Sequence, residues 1–172
     1  MNKSNKLIAG RIIPAIISVV LLVAFDQLTK YIVINNIELY GSVPLISDVL
    51  ELHYIRNSGA AWGIFQNKQI MFYIITVIFL FFCAYVYIKC AQNNLYKDLR
   101  VLIILISSGA IGNFIDRIRQ QYVVDFIYFK LINFPVFNVA DCYVTISVFL
   151  LIFLMIFKYK EDDFDLIFKK HN

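Results

Sequence analysis

Two aspartates stand in apolar surroundings where a lone carboxylate is costly. Asp125 is the only charged residue of Val123–Ile127, and Asp141 follows Asn138 at the start of an apolar run. Such a carboxylate is expected to be paired, protonated or catalytic. If the two lie close together they share one proton near neutral pH, so one can activate water while the other polarises a carbonyl. This chemistry hydrolyses a peptide, and neither histidine stands beside a motif serine that it could activate.

The neighbouring polar residues can each be interpreted as structural or as functional. Asp26 and Lys30 are four residues apart, the spacing of a supportive pair on one helix face. Arg117 could extend to the membrane surface, or hold a phosphate or carboxylate through paired hydrogen bonds. Asn138 is a good N-cap, and Asp141 three residues later would complete a capping box. From the residues alone these interpretations stay open.

The elements that position these groups must lie in a membrane. The chain has 172 residues, of which 60% are hydrophobic and 16% are charged. A soluble domain of this size cannot bury so much apolar surface. A net charge of +4 without a basic block argues against a nucleic-acid partner. Three irregularly spaced cysteines indicate neither a disulfide framework nor a zinc site.

The apolar runs predict an all-α membrane protein with four transmembrane helices, forming a single domain over residues 1–172. The spans are expected at about residues 12–34, 70–88, 101–117 and 139–157. The first is expected to be an uncleaved span with Pro14 in its opening turn. The outer loop, residues 35–69, is too long for a simple connection. Its segment Val49–Ile55 predicts a half-buried strand, and Trp62 suits a membrane interface, so we expect a small extracytoplasmic β-sheet cradle.

Basic residues predict the orientation of the spans. With both termini in the cytoplasm, ten of the 16 Lys and Arg residues lie inside. The ten are Lys3, Lys6, Arg11, Lys89, Lys97, Arg100, Lys158, Lys160, Lys169 and Lys170. In this topology nearly all the unusual polar residues converge on the outer face of the membrane.

Five blocks of the sequence resemble, in order, the motifs of the lipoprotein signal peptidase family, also called signal peptidase II. They are Asp26–Lys30 (DQLTK), Arg56–Gly63 (RNSGAAWG), Gly112–Arg117 (GNFIDR), Val123–Phe126 (VVDF) and Phe137–Asp141 (FNVAD). Members are bacterial aspartic peptidases of the cytoplasmic membrane. They remove the signal peptide from prolipoproteins by cleaving before a cysteine that carries a diacylglyceryl group.

This resemblance implies roles for individual residues. Asp125 and Asp141 would be the catalytic pair. Nine further residues would bind substrate or support the groove: Asp26, Lys30, Asn57, Gly59, Gly112, Asn113, Arg117, Asn138 and Ala140. No metal or other cofactor is expected. The partners would be lipidated prolipoprotein signal peptides and membrane lipid, with the enzyme acting as a monomer.

Small residues on the third span would allow close approach of a helix, namely Gly109, Ala110 and Gly112. Two other functions are compatible with some of these residues. A metal-dependent lipid phosphotransferase could hold magnesium through Asp116 and the aspartate pair, with Arg117 on a phosphate. A small ion or proton transporter would need polar groups at the membrane midplane and on both sides, whereas here they gather at one face.

Overall fold

The computed structural model describes residues 3–59, 69–160 and 163. Its elements are α1 (Lys3–Asn36), β1 (Ser42–Ile46), β2 (Leu50–Asn57), α2 (Gln69–Cys90), α3 (Lys97–Gln120), β3 (Val123–Tyr128) and α4 (Val139–Phe157). All four helices are long and apolar enough to cross a membrane. The predicted class, a helical membrane protein with a small sheet, is confirmed. Trp62 and its expected interfacial position lie outside the described residues.

The first helix begins earlier than expected. Because α1 starts at Lys3, Pro14 lies inside the helix, and its predicted place in an opening turn is wrong. Proline lacks the N–H that would bind the carbonyl four residues back, at Gly10. Membrane helices tolerate this loss because local adjustments and neighbouring groups satisfy the freed carbonyl. The span therefore continues through the proline toward the N-terminus.

The central helix of the bundle is α3, which packs against each of the other three helices. Glycines permit the close approach of α4. A Cβ at Gly109 would collide with the Ala140 carbonyl oxygen, and one at Gly112 would lie 2.5 Å from Asp26 Oδ2. The small residues of the third span thus bring the chain's own fourth helix and an Asp26 carboxylate against α3.

The strands form one antiparallel sheet in the order β1-β2-β3. The strand predicted over Val49–Ile55 is confirmed as β2, and β3 pairs with it so that Asp125 lies opposite Ile55. Alternation along the strands sends one face toward the end of α1. That face and α1 form a buried cluster of Val33, Ile37, Tyr54, Val124 and Phe126. Asp125 consequently points to the opposite face.

The end of the bundle away from the sheet is closed by a second apolar cluster. It contains Cys90, Tyr96, Leu99, Leu102 and Tyr159, contributed by the end of α2, the start of α3 and the residues after α4. At the sheet end, α2 and α4 each pack against α3. A space remains beside α3 and beneath the sheet, and the polar residues gather there.

Candidate active site

The candidate active site is a groove of about 1180 Å³ between the sheet and the adjoining ends of α3 and α4. The sheet contributes Asn57 and Asp125, and the helices contribute Asn113, Arg117 and Asp141. The remaining wall is largely apolar and includes Phe129, Ile132, Phe134, Pro135, Val136, Phe137 and Ile146. Two carboxylates thus face one cavity whose other walls suit an apolar ligand.

Asp125 is held at the groove by two side-chain amides. Asn57 donates from Nδ2 to Oδ2 at 2.8 Å, and Asn138 donates from Nδ2 to Oδ1 at 2.7 Å. Burial, with the added effect of the neighbouring Asp141 charge, raises the pKa of Asp125 to about 7. Near neutral pH this carboxyl therefore exchanges readily between its protonated and ionised forms.

Asp141 caps its own helix and faces the groove at the same time. Its Oδ2 accepts from the backbone N–H of Asn138 at 3.1 Å, and its backbone N–H donates to Asn138 Oδ1 at 3.0 Å. This confirms the predicted capping box. The other oxygen, Oδ1, accepts from Asn113 Nδ2 at 2.8 Å. Asn138 therefore contacts both aspartates, which answers the open question of whether capping and site roles compete.

A buried ammonium group lies behind the aspartates. Lys30 Nζ is 2.9 Å from Asp26 Oδ2, 2.9 Å from Asp116 Oδ2 and 3.0 Å from Asn113 Oδ1. Lys30 is 2% exposed, and Asp26 and Asp116 are 0% and 4% exposed. The predicted pairing of Asp26 with Lys30 is confirmed, and a second carboxylate shares the same cation.

The free oxygens of this ion cluster bind backbone groups next to the aspartates. Asp26 Oδ1 accepts from the N–H of Ala140 at 2.9 Å, and Asp116 Oδ2 accepts from the N–H of Val124 at 3.3 Å. Ala140 immediately precedes Asp141, and Val124 immediately precedes Asp125. The cluster therefore positions the chain segments that carry both carboxylates without entering the groove itself.

Asp116 and Gln27 belong to the ion cluster behind the groove, a place that the sequence analysis did not give them. Gln27 Nε2 donates to Asp116 Oδ1 at 2.9 Å and to the Gly112 carbonyl at 3.3 Å. A signal existed, since Asp116 lies three residues after Asn113 and thus on the same helix face. The magnesium alternative placed Asp116 with the aspartate pair, but it pairs with Lys30 instead. Across the described ranges, no three His, Cys, Asp or Glu residues form a group that could hold a metal.

Gly59 and Arg117 complete the rim of the groove. The Gly59 N–H donates to Asn57 Oδ1 at 3.0 Å, which leaves the Nδ2 group of that amide directed at Asp125. Arg117 donates from Nη2 to the Gly59 carbonyl at 3.3 Å, and its guanidinium lies 4.5 Å from the centre of the Phe72 ring. Its contacts in the described part of the chain are carbonyls and a ring rather than a carboxylate.

Gly112, Asn138 and Ala140 lie behind the groove. Ala140 is fully buried against α3, and Asn138 is fully buried between the two carboxylates. A larger residue at Gly112 or Ala140, or an apolar residue at Asn138, would therefore disturb the aspartates. The structure thus brings every candidate residue of the sequence analysis to one end of the bundle. The structure also divides these candidate residues into those that face the cavity and those that hold the cavity-facing residues in place.

The chain is similar to known proteins in both sequence and fold. Residues 18–157 match the family described as Signal peptidase (SPase) II. Lipoprotein signal peptidases of Streptococcus pyogenes serotypes M5 (strain Manfredo) and M18 (strain MGAS8232) are each 40% identical over 149 residues, covering 87% of this chain and 95% of theirs.

Two solved structures, both described as a bacterial membrane enzyme determined by the in meso method, share the fold. The one at 2.3 Å resolution is 40% identical with a TM-score of 0.76, covering 92% of this chain and 93% of its own. The one at 1.9 Å is 42% identical with a TM-score of 0.75, covering 85% and 94%. With most of its length matched in sequence and in fold, this chain belongs to the signal peptidase II family of membrane peptidases.

Proposed function

We propose that this protein is an aspartic endopeptidase that removes the signal peptide from diacylglyceryl-modified prolipoproteins, cleaving before the lipidated cysteine. Asp125 and Asp141 are the catalytic residues. The observation that carries the proposal is that these carboxylates come from different elements, face one groove and are both oriented by amide donors. The streptococcal relatives named above are lipoprotein signal peptidases.

The proposed chemistry needs one proton shared by the pair. The ionised carboxylate takes a proton from water, and the oxygen of that water bonds to the scissile carbonyl carbon. The protonated carboxyl donates to the carbonyl oxygen, which becomes a hydroxyl group. The tetrahedral intermediate then collapses: the C–N bond breaks, the leaving amine receives a proton from the protonated carboxyl, and one hydroxyl of the intermediate returns its proton to the other carboxylate, which restores the singly protonated dyad. A pKa of about 7 at Asp125 suits this exchange of roles.

The groove suits a substrate that arrives through the membrane. A signal peptide is itself an apolar helix, so it can enter from the lipid and meet the apolar wall. The diacylglyceryl chains stay in the bilayer, which places the scissile bond at the depth of the aspartates. Sheet residues cover the groove on the other side and limit access of water.

We further propose that both termini face the cytoplasm and that the groove lies at the outer face of a bacterial cytoplasmic membrane. The excess of basic residues at the end opposite the sheet supports this orientation. Single cysteines at Lys97 and at Asp48 test it. A membrane-impermeant thiol reagent applied to intact cells should label the Asp48 position and spare the Lys97 position; the reverse pattern would contradict the orientation.

The function is tested with purified protein in detergent and a diacylglyceryl-modified prolipoprotein, beside the unmodified precursor and with a strong chelator present. We expect cleavage of the lipidated form only, unaffected by the chelator. Asp125→Asn and Asp141→Asn should each lower turnover by at least about a thousandfold. The matched control is Asp48→Asn, which changes an exposed aspartate of the β1–β2 turn and should retain activity.

Retained cleavage by either aspartate variant in a folded sample would contradict the dyad. Cleavage that stops on chelation and returns with magnesium would favour metal chemistry instead. Equal cleavage of the lipidated and unmodified precursors would support the peptidase assignment and contradict the requirement for the diacylglyceryl group.

A further inference from the structure

Two arginines from different helices contact the same stretch of backbone at the end of the bundle opposite the sheet. Arg11 of α1 donates from Nη1 to the Ala91 carbonyl at 2.6 Å and from Nη2 to the Asn94 side chain. Arg100 of α3 donates from Nη1 to the Cys90 carbonyl at 2.9 Å. Both guanidinium groups therefore converge on the connection between α2 and α3, far from the proposed catalytic groove.

Among the residues that the structure describes, the groups at this end do not balance the charge of the two arginines. The carbonyls at the end of α2 carry together about half a negative elementary charge, against two positive charges. Of the described carboxylates nearby, Asp98 pairs with Lys158, and that of Asp163 accepts from the Lys160 backbone N–H. Neither arginine has an ion-pair partner within residues 8–59, 69–160 and 163, and the two repel each other.

With the four helices crossing the bilayer, the α2–α3 connection that the pair contacts lies near one membrane surface. Arg11 contacts the residue that follows α2, and Arg100 lies in the first turn of α3. Both side chains are partly exposed. In the described part of the chain, Nε of each arginine and Nη2 of Arg100 have no protein acceptor, so several N–H donors remain for a ligand.

We propose that Arg11 and Arg100 bind the phosphate group of an anionic phospholipid in the membrane leaflet opposite the sheet. A phosphate presents several oxygens to two planar guanidinium groups, which is the geometry that arginine recognises best. It also supplies negative charge that the described residues do not, at a site between helices where basic pockets hold lipid headgroups. The bound lipid ties the start of α1 to the α2–α3 connection.

The test measures lipid binding by the intact protein and does not depend on catalysis. Phosphatidylglycerol and phosphatidylcholine with the same acyl chains are added to the detergent-purified protein, and bound lipid is followed by native mass spectrometry together with the unfolding midpoint. Phosphatidylglycerol should bind and raise the midpoint, and phosphatidylcholine and inorganic phosphate should not. Equal binding of both lipids would overturn the proposal, and a midpoint shift reproduced by inorganic phosphate would overturn the assignment to lipid.

Variants locate the binding. Arg11→Gln and Arg100→Gln should each weaken phosphatidylglycerol binding about fivefold, the contribution of one basic residue at a membrane surface. Lys130→Gln, which removes a cation near the sheet, is the matched control and should bind like the wild type. Arg11→Lys and Arg100→Lys keep the charge in case the glutamine variants do not fold, and should bind less tightly than arginine because they lose the planar fork. Unchanged affinity in folded arginine variants would overturn the site.

Discussion

Lys30 and Asp116 form a buried ion pair between α1 and α3, with 2.9 Å between Nζ and Oδ2. The same ammonium binds Asp26 at 2.9 Å. Each carboxylate also accepts a backbone N–H from the residue that immediately precedes one of the two groove aspartates. One cation thus connects two distant chain segments, and we expect it to control the separation of the proposed catalytic carboxylates.

Asp116→Asn should lower kcat about a hundredfold and leave KM nearly unchanged. The amide offers one acceptor oxygen in place of two, so it cannot bind both Gln27 and the Val124 N–H. β3 then shifts and misplaces Asp125, while Asp26 still pairs with Lys30 and the apolar wall of the groove stays the same. The lost acceptor leaves a buried donor unsatisfied, which should also lower the free energy of unfolding by about 2 kcal/mol. Steady-state kinetics on the folded fraction separate the two effects, with Asp48→Asn as the exposed control. Wild-type kcat in that fraction would contradict the positioning role.

Asn113 variants should follow an order that only its specific contacts explain. The side chain accepts from Lys30 and from Asn138, and donates to Asp141. Asn113→Ala removes these contacts, whereas Asn113→Asp replaces a donor to Asp141 with a second carboxylate and adds repulsion.

We therefore expect lower turnover for Asn113→Asp than for Asn113→Ala, with both at least about tenfold below the wild type. Asn36→Ala is the control, because the side chain of that exposed asparagine, within the part of the chain that the structure describes, binds only a backbone carbonyl of its own helix. The order is read from initial rates with the lipidated substrate. Equal rates for the two Asn113 variants would show that the orientation of the amide is unimportant.

The pH dependence of stability should carry the signature of Asp125. Its pKa is about 7 in the folded protein and near the ordinary 3.8 when unfolded. The folded state therefore holds a proton that the unfolded state releases, so this group lowers stability as the pH rises from about 4 to about 7, with little further change above.

Asp125→Asn removes this slope, which amounts to about 4 kcal/mol over the full interval. The variant loses one amide contact at every pH, which shifts its stability by a constant amount. The informative quantity is therefore the difference between the slopes of stability against pH, measured as unfolding midpoints in detergent at pH 4.5, 6 and 8. Parallel curves for wild type and variant would contradict the raised pKa.

Alanine at the helix-packing glycines should be far more damaging than alanine at an open one. A Cβ at Gly109 collides with the α4 backbone, and one at Gly112 meets Asp26 Oδ2 at 2.5 Å. Both should lower stability by about 2 kcal/mol or more and abolish turnover, because α4 carries Asp141. Gly10→Ala is the control. No atom of the described neighbouring residues lies within 4 Å of a Cβ placed there, and helix propensity favours alanine by about 1 kcal/mol. Similar unfolding midpoints for all three variants would contradict this account.

Much of the site was predictable from local sequence. Asn138 and Asp141 form a capping box because their spacing alone satisfies the free groups of the helix start. Asp26 and Lys30 pair because four residues span one turn of a helix. Pro14 was misplaced because the apolar run, which marks the membrane, says little about a helix that continues beyond it.

The sequence by itself determined the membrane class, the four spans, strand β2 and the gathering of polar residues at one end of the bundle. These follow from composition and periodicity, which act over a few turns of chain. Only the tertiary structure decided that Asp116 shares Lys30, that Asn138 contacts both aspartates, and that Gly112 and Ala140 stand behind the groove. Those relations join atoms from residues far apart in sequence, so they exist only after α1, α3, α4 and the sheet have packed together.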